Sequence, residues 1–212
     1  MCRRSAHAGE ERATLGPFVT YLFFTQLPGR PEAAPLPVAV LARTVRLCAR
    51  RDPEVLVLGY GLGTLGSLIA RLRPRCRILG VERSREYVRG AAALAPPNVK
   101  LHRADAERFI ATHRGRFDLV IDDCFRMVHG EPVRVPGLDR SAGRVRALLR
   151  PRGIYVRNLL PDDERHLELS CRDMSEAFPH LRFRRFHEWD NVLAIASTRA
   201  LERGELARLH RR

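Results

Sequence analysis

Short apolar runs alternate with amphipathic segments from residue 55 to residue 197. Short apolar runs bounded by turn residues predict strands, and apolar residues three and four positions apart predict helices. The predicted strands are 55–59, 77–82, 98–102, 117–122, 153–158, 181–187 and 191–197, and the predicted helices are 63–73, 84–94, 106–113, 139–149 and 162–177. This alternation predicts an α/β fold with a mostly parallel sheet and helices on both faces. The last two strands leave no room for a crossover helix, so we expect an antiparallel hairpin at the sheet edge.

The segments that flank this region have different patterns. Residues 1–14 are polar and predicted to be disordered, whereas the aromatic-rich segment 17–27 predicts a strand or hairpin. Apolar residues at helical spacing predict a helix over 38–50, and residues 199–212 predict a basic helical tail. The chain therefore divides into a short N-terminal extension, a central domain and the tail, at residues 1–50, 51–198 and 199–212.

The chain is strongly basic, with a formal net charge of +14 from 38 basic and 24 acidic residues. Lys100 is the only lysine, so arginine carries nearly all of the positive charge. Such a bias is compatible with an RNA or phosphate partner, but a GC-rich genome that encodes arginine in place of lysine gives the same composition. The arginines are spread along the sequence without an aromatic-basic RNA-binding motif, which favours the second interpretation.

Composition also argues against several classes of protein. No apolar run approaches the roughly 20 residues of a membrane helix, and the first residues lack the apolar core of a secretory signal. The five cysteines are far apart and show no metal-ligand spacing, so we expect neither a disulfide framework nor a metal site. These features predict a cytoplasmic protein without a membrane partner.

A strand, a glycine turn and a helix follow one another in EVLVLGYGLGTLGS, which begins at Glu54. Gly59, Gly61 and Gly63 alternate in the turn, where glycine permits positive φ and close approach to a ligand. The helix that follows directs its free N–H groups toward the same point. Glu82 ends the next strand, at the position where open α/β sheets bind ribose hydroxyls. The pattern therefore predicts a site for a nucleoside-containing ligand.

Polar residues follow the other predicted strands as well. Since ligands of such sheets bind beyond the carboxyl ends of the strands, the candidate site residues are Glu82, Asp105, Asp122, Asp123 and Asn158. Asp105 is also placed to cap the helix that begins at Ala106. Alternation along the strand sends Asp122 and Asp123 to opposite sides, so only one of them is expected to face the ligand. Acidic and amide groups at one edge favour a cationic or hydroxyl-rich ligand.

Six segments occur in a characteristic order, namely VLVLGYGLGTLG, GVERS, RADAERF, FDLVIDDCF, LLRPRGIYVRNLL and NVLAIAST. Together they resemble the spermidine synthase-like branch of the class I S-adenosylmethionine-dependent transferases, over residues 52–198. The resemblance implies a Rossmann-like class I methyltransferase fold with a seven-stranded sheet. It also implies S-adenosylmethionine or decarboxylated S-adenosylmethionine as the cofactor.

The same resemblance implies roles for individual residues. Gly59, Gly61 and Gly63 resemble the turn that holds the amino-acid or aminopropyl part of the cofactor. Glu82 resembles the carboxylate that binds its ribose hydroxyls. Asp105 and Ala106 resemble the pair beside its adenine. Asp123 is similar in position to the catalytic aspartate of aminopropyltransferases, which orients the attacking amine and helps to remove its proton.

The chain departs from aminopropyltransferases at two places. Leu62 stands where these enzymes usually carry an aspartate that contacts the amine of the decarboxylated cofactor. Cys124, Phe125, Arg126 and Met127 replace their usual SSDP. The positive charge of Arg126 would repel a polycationic substrate.

Three functions stay open at this point. The first is alkylation of a small amine by S-adenosylmethionine or its decarboxylated form, with Asp123 as base. The second is methylation of another small molecule or of RNA, and the third is a non-catalytic protein that binds the nucleoside. The acceptor pocket is expected to come from the N-terminal segment and from a loop at 124–136. A homodimer is one alternative for the oligomeric state, because members of the family commonly dimerise.

Overall fold

The computed structural model describes residues 36–129, 131–160, 164–186 and 189–209. The predicted disorder of 1–14 and the predicted strand or hairpin at 17–27 lie outside these residues. None of the described helices is long and apolar enough to cross a membrane.

A seven-stranded sheet forms the centre of the fold. Its strands are β1 (Glu54–Leu58), β2 (Arg77–Glu82), β3 (Val99–Arg103), β4 (Phe117–Asp122), β7 (Leu149–Leu159), β8 (His180–Phe186) and β9 (Trp189–Ser197). They lie in the order β3-β2-β1-β4-β7-β9-β8. Pairing is parallel from β3 to β7, whereas β9 is antiparallel to both of its neighbours. The predicted mostly parallel sheet with a C-terminal antiparallel pair is confirmed.

Helices cover both faces of this sheet, as predicted. They are α1 (Leu36–Arg43), α2 (Thr64–Leu72), α3 (Arg85–Ala92), α4 (Ala106–Thr112), α5 (Ala142–Ala147), α6 (Glu164–Ala177) and α7 (Arg203–Ala207). Val57 and Ile121 pack in one apolar core with α1, α2 and α3. Leu56 and Val120 pack in a second core with α4, α5 and α6. Because successive strand residues enter opposite cores, the central strands are apolar at nearly every position.

The predicted helix at 139–149 is wrong at both ends. A 3-10 turn spans Pro136–Arg140, α5 is limited to six residues, and β7 already begins at Leu149. Leu149 pairs with Phe117, and the register then shifts at a bulge that contains Arg152, with a φ of +67°. The sequence LLRPRG has the composition of a helix end followed by a turn, so the first residues of the strand were not predicted.

A two-stranded hairpin replaces the loop expected at 124–136. Its strands β5 (Phe125–Val128) and β6 (Glu131–Arg134) pair in antiparallel fashion. Arg134, at the end of β6, is fully buried. The hairpin begins directly after β4, so it stands beside the carboxyl ends of the parallel strands.

The segments expected at 38–50 and 199–212 pack against each other. The first is α1 followed by a 3-10 turn at Thr44–Leu47. In the second, the described helix is α7 alone, and residues 210–212 lie outside the described part. Arg43 donates a hydrogen bond to the carbonyl of Leu209 at 3.3 Å, and the Leu209 side chain is buried in the same core as α1. Both segments therefore complete one face of the central domain.

Candidate cofactor and acceptor site

The candidate residues lie along the carboxyl edge of the sheet in the order of the strands. From β3 to β7 the edge carries Asp105, Glu82, the glycine turn, Asp123 and Asn158. Backbone hydrogen bonds join neighbouring strand ends: Ala104 N donates to Glu82 O at 3.1 Å, and Asp123 N donates to Leu58 O at 3.0 Å. The fold thus brings together residues that are far apart in the sequence.

The glycine turn has the positive φ expected from its sequence, with values of 76°, 57° and 99° at Gly59, Gly61 and Gly63. A Cβ at Gly59 would lie 2.5 Å from the backbone oxygen of Asp123, and a Cβ at Gly63 would lie 2.9 Å from the ring of Tyr60. A Cβ at Gly61 would meet no atom within 4 Å. Gly59 and Gly63 are therefore required by the packing of the protein itself, whereas Gly61 faces open space.

This difference predicts separate effects for two alanine substitutions. Gly59→Ala is expected to lower the melting temperature strongly, because the new methyl would overlap the backbone of Asp123. Gly61→Ala is expected to cost only about 1 to 2 kcal/mol of stability for its left-handed backbone. The new methyl would enter the cleft, so ligand affinity should fall at least about tenfold. Thermal melts and calorimetric titration would measure both effects, and an unchanged ligand affinity in Gly61→Ala would contradict this assignment.

Tyr60 and Leu62, which alternate with the turn glycines, pack into the body of the fold. The Tyr60 ring occupies the space that a Cβ would need at Gly66 of α2 and at Gly80 of β2. Leu62 occupies the corresponding space at Gly90 of α3. Burial raises the pKa of Tyr60 to about 12, and its hydroxyl has no hydrogen-bond partner among the described residues. Glycines outside the turn therefore make room for the side chains within it.

Glu82 connects the end of β2 to the glycine turn. One carboxylate oxygen accepts a hydrogen bond from Gly61 N at 3.0 Å, and the other accepts from Ser84 N at 2.8 Å. Each carboxylate oxygen has a second lone pair, so both retain the capacity to accept from a diol. The side chain is half-buried, and its two backbone partners fix its orientation beside the turn.

Asp105 and Ala106 lie at the next strand end, where α4 begins. Asp105 Oδ1 accepts a hydrogen bond from Arg108 N at 3.1 Å, so this residue caps α4. The side chain of Asp105 is exposed and that of Ala106 is half-buried. The capping interaction considered from the sequence is therefore present, and a role beside adenine stays a prediction.

Asp123 faces the glycine turn across a pocket lined by Val38, residues 59–65, Tyr87 and Asp123 itself. It is the only carboxylate among these lining residues. Burial raises the pKa of Asp123 to about 6, and the neighbouring charge of Asp122 adds to this rise. A hydrogen bond from Asn158 opposes it, because it stabilises the ionised carboxylate. Asp123 is thus ionised at neutral pH and titrates within the physiological range.

Two asparagines hold Asp123 in place. Asn158 Nδ2 donates to Asp123 Oδ1 at 2.8 Å, and Asn191 Nδ2 donates to Asn158 Oδ1 at 3.1 Å. The second bond fixes the amide of Asn158 with its NH2 group toward the carboxylate. Three adjacent strands, β9, β7 and β4, therefore position one oxygen of Asp123.

Asn158→Leu is expected to raise the pKa of Asp123 above its present value of about 6. The reason is that the substitution removes the donor that stabilises the ionised form. A titration of the side-chain carboxyl by carbon-13 NMR would measure the shift. Asn98→Leu is a matched control, since Asn98 donates to the carbonyl of Cys76 at the opposite edge of the sheet. An unchanged titration of Asp123 in Asn158→Leu would contradict the assignment.

Comparisons with known proteins bear on the fold. Residues 55–153 match a family described as a methyltransferase domain. Human methyltransferase-like protein 13, solved in complex with SAH, superposes with a TM-score of 0.68 at 21% identity, covering 85% of this chain and 88% of that chain. The chain has a Rossmann-like methyltransferase fold. A comparison with curated proteins finds no sequence match.

Spermidine synthases share this methyltransferase fold. A probable spermidine synthase from Corynebacterium glutamicum has a TM-score of 0.72 at 20% identity, covering 82% of this chain and 68% of that chain. Spermidine synthase from Thermotoga maritima has a TM-score of 0.65 at 15% identity, with coverage of 80% and 62%. At these identities the likeness establishes the fold and leaves the reaction open, so the specific spermidine synthase-like branch is not singled out.

Behind Asp123, the methyltransferase fold buries a network of charged side chains. Asp122 faces away from the pocket, pairs with Arg134, and accepts a hydrogen bond from the Tyr155 hydroxyl at 3.0 Å. Arg157 donates to the same hydroxyl at 3.0 Å and to Asp173 of α6 at 2.8 Å. Although burial opposes ionisation, the guanidiniums of Arg134 and Arg157 hold the pKa of Asp122 below its usual range. The two neighbouring aspartates therefore have opposite pKa shifts.

Arg134 connects this network to the end of β7 beside Asp123. It donates to Asp139 Oδ1 at 2.9 Å and to the backbone oxygen of Asn158 at 3.2 Å. The hairpin that ends at Arg134 is thereby fixed to the strand end that orients Asp123. Arg134 and Asn191 are not predictable as site residues from the sequence, since neither follows a strand of the parallel sheet. Arg157 was not predicted either, but it does have a signal in the sequence, because it is a charged residue within the apolar run IYVRNLL.

Proposed function

We propose that the protein transfers an alkyl group from an S-adenosylmethionine-type cofactor to a small amine, with Asp123 as the base. The match to a methyltransferase domain supports an enzyme of the S-adenosylmethionine-dependent transferase class. Structural neighbours solved with SAH and with the transition-state analogue AdoDATO support S-adenosylmethionine or its decarboxylated form as cofactor. The observation that carries the proposal is the single carboxylate of Asp123 facing the glycine turn, with its pKa raised to about 6.

The carboxyl edge fits such a cofactor. Gly61 leaves open space at the turn, and the N-terminus of α2 directs N–H groups there. Glu82 would hold the ribose hydroxyls with its remaining lone pairs, and Asp105 would accept from the adenine amine while capping α4. When bound, the cofactor supplies an electrophilic carbon beside a positively charged sulfur, together with a neutral thioether leaving group. The protein therefore has to supply alignment and a proton acceptor.

Asp123 has the properties that the amine requires. An alkyl ammonium group has a pKa near about 10, so at neutral pH it must lose a proton before it can attack carbon. The carboxylate of Asp123 would first bind the ammonium ion and then accept its proton. Because Asn158 holds one oxygen of this carboxylate at 2.8 Å, the other oxygen is available to the acceptor. Partial burial weakens competition from water for the same carboxylate.

The transferred group distinguishes two versions of this reaction. Decarboxylated S-adenosylmethionine lacks the α-carboxylate of the intact cofactor, so the ammonium group at this end needs a carboxylate of the protein near the turn. Leu62 is apolar and packs on α3, and Asp123 is the only carboxylate that lines the pocket. This arrangement favours the intact cofactor and hence methyl transfer, to a small amine or to another acceptor. The spermidine synthase neighbours are the argument for aminopropyl transfer.

Calorimetric titration with both cofactors, followed by mass spectrometry of mixtures with small amines, tests the proposal. We expect binding of at least one cofactor and a product heavier by a methyl or an aminopropyl group. Tighter binding of the intact cofactor would support methyl transfer, and tighter binding of the decarboxylated form would support aminopropyl transfer. Binding without turnover would support a non-catalytic nucleoside-binding protein. If neither cofactor binds, the proposal is wrong.

A further inference from the structure

The two edges of the sheet differ in the charged residues that they collect, although the amino edge also holds Asp52, Glu54 and Asp118. Acidic residues of the candidate site gather at the carboxyl edge of the sheet, as described above. Arginines gather at the opposite edge, where the parallel strands begin: Arg116 precedes β4, and Arg150 and Arg152 lie in the first residues of β7. A genomic preference for arginine codons accounts for the number of arginines but gives no reason for their collection at one edge.

Two adjoining depressions at this amino edge share Arg116 and together form a groove, which we call the arginine groove. Its cationic side chains are Arg114, Arg116, Arg144, Arg146, Arg150, Arg152 and Arg199. Its floor is formed by small and apolar residues that include Ala147, Leu148, Leu149 and Pro151. No acidic residue lines either depression. All of these positions lie within the described part of the chain.

Most of this positive charge is not neutralised. Arg150 pairs with Glu54 at 3.1 Å, and Arg199 pairs with Glu205 at 2.6 Å. The guanidiniums of Arg116 and Arg146 donate to backbone carbonyls, which carry no net charge. Five arginines of the groove are exposed. Three of them make neither such a hydrogen bond nor an ion pair with a carboxylate of the described residues; they are Arg114, Arg144 and Arg152. Guanidinium groups without acidic partners along a concave surface are typical of a site for a polyanion.

We propose that the arginine groove binds the phosphodiester backbone of a nucleic acid strand. A phosphate backbone presents regularly spaced negative charges, and arginine binds phosphate oxygens with two parallel hydrogen bonds. A membrane surface fits less well, since the groove is concave and none of the exposed large apolar residues of the described chain, namely Leu36, Leu94, Leu169 and Phe183, lines it. The inference is independent of the transferase reaction, because the groove lies at the edge opposite the cofactor cleft.

Fluorescence anisotropy with labelled oligo-U and oligo-dT, measured over a range of salt concentrations, tests this inference. The groove variant combines Arg114→Gln, Arg144→Gln and Arg152→Gln. If each arginine contacts one phosphate, the slope of log affinity against log salt should become less steep by about 2, since each contact with a single strand contributes about 0.7. Equal binding of the two oligomers would indicate recognition of phosphate alone, and a preference for oligo-U would indicate contacts to the ribose hydroxyl.

The matched control combines Arg71→Gln, Arg89→Gln and Arg203→Gln, which are exposed positions outside the groove. It removes the same amount of charge from the net +14, so it should leave the salt slope nearly unchanged. Equal effects of the two variants would mean that only overall charge matters and would overturn the proposal. So would a wild-type protein that binds neither oligomer, or that binds only vesicles containing phosphatidylserine. Circular dichroism melts of both variants establish that each is folded.

Discussion

Asp123→Asn is expected to reduce turnover by about 100- to 10,000-fold, the range typical for loss of a general base. Asparagine has nearly the shape of aspartate and can still accept a hydrogen bond from Asn158 through its amide oxygen. It cannot bind an ammonium ion as strongly or accept its proton. Because Asp123 lies across the pocket from the glycine turn, cofactor affinity should change by less than about tenfold. Single-turnover kinetics and calorimetric titration would measure the two effects separately.

Glu82→Gln serves as the matched control for this substitution. It also replaces a carboxylate by an amide, but at the residue that bonds to Gly61 and is expected to hold the ribose. We therefore expect the opposite result, with weaker cofactor binding and a smaller effect on the chemical step at saturation. If Asp123→Asn retains most of its turnover, the assignment of the base is wrong, whatever the effect of Glu82→Gln.

The pH dependence gives a further test of the same residue. Asp123 has a pKa raised to about 6 by burial, so the fraction of ionised base increases as the pH rises through 6. The rate at saturating cofactor should follow this increase in the wild-type protein. In Asp123→Asn the increase centred near pH 6 should disappear, and the residual rate should rise only with the free-amine fraction of the acceptor. If the rate of the variant still increases as the pH rises through 6, a group other than Asp123 causes the increase.

Local patterns were sufficient to predict the central sheet and the carboxyl edge. The strand, the alternating glycines and the helix after Glu54 are specified by neighbouring residues, and parallel topology places every strand end at the same edge. The sequence alone therefore predicts that Gly59, Gly61 and Glu82 are neighbours. The alternation rule also separated Asp122 from Asp123 correctly, since Asp122 bonds to the buried Tyr155, whereas Asp123 bonds to Asn158 and lines the pocket.

Features that depend on distant partners were not predictable in this way. The hairpin of β5 and β6 has only four residues in each strand, and its position is determined by the ion pair of Arg134 with Asp122. Neither residue carries a local signal for this pair. Asn191 likewise belongs to the site only because β9 inserts beside β7, which places its amide 3.1 Å from that of Asn158. The start of β7 was missed because a bulge at Arg152 interrupts its apolar pattern.

Arg134→Met is expected to destabilise the protein by about 3 to 5 kcal/mol, because it leaves the carboxylate of Asp122 buried without its main partner. Arg134 and Asp122 both have fully buried side chains. For a chain of this size, such a loss corresponds to a decrease of roughly 10 °C in the melting temperature. The substitution should also lower turnover by the remaining folded protein, because Arg134 holds the backbone of Asn158, which in turn orients Asp123.

Arg172→Met is the control for loss of an arginine from an ion pair. Arg172 pairs with Glu176 within α6, and both side chains are mostly exposed, so the expected cost is below about 1 kcal/mol. The double variant Arg134→Met with Asp122→Asn should recover part of the stability, since it removes the unpaired buried charge. Denaturant unfolding of the four proteins measures this recovery. Equal costs for Arg134→Met and Arg172→Met would mean that solvent reaches Asp122, and the buried network could not then be what fixes the hairpin beside Asp123.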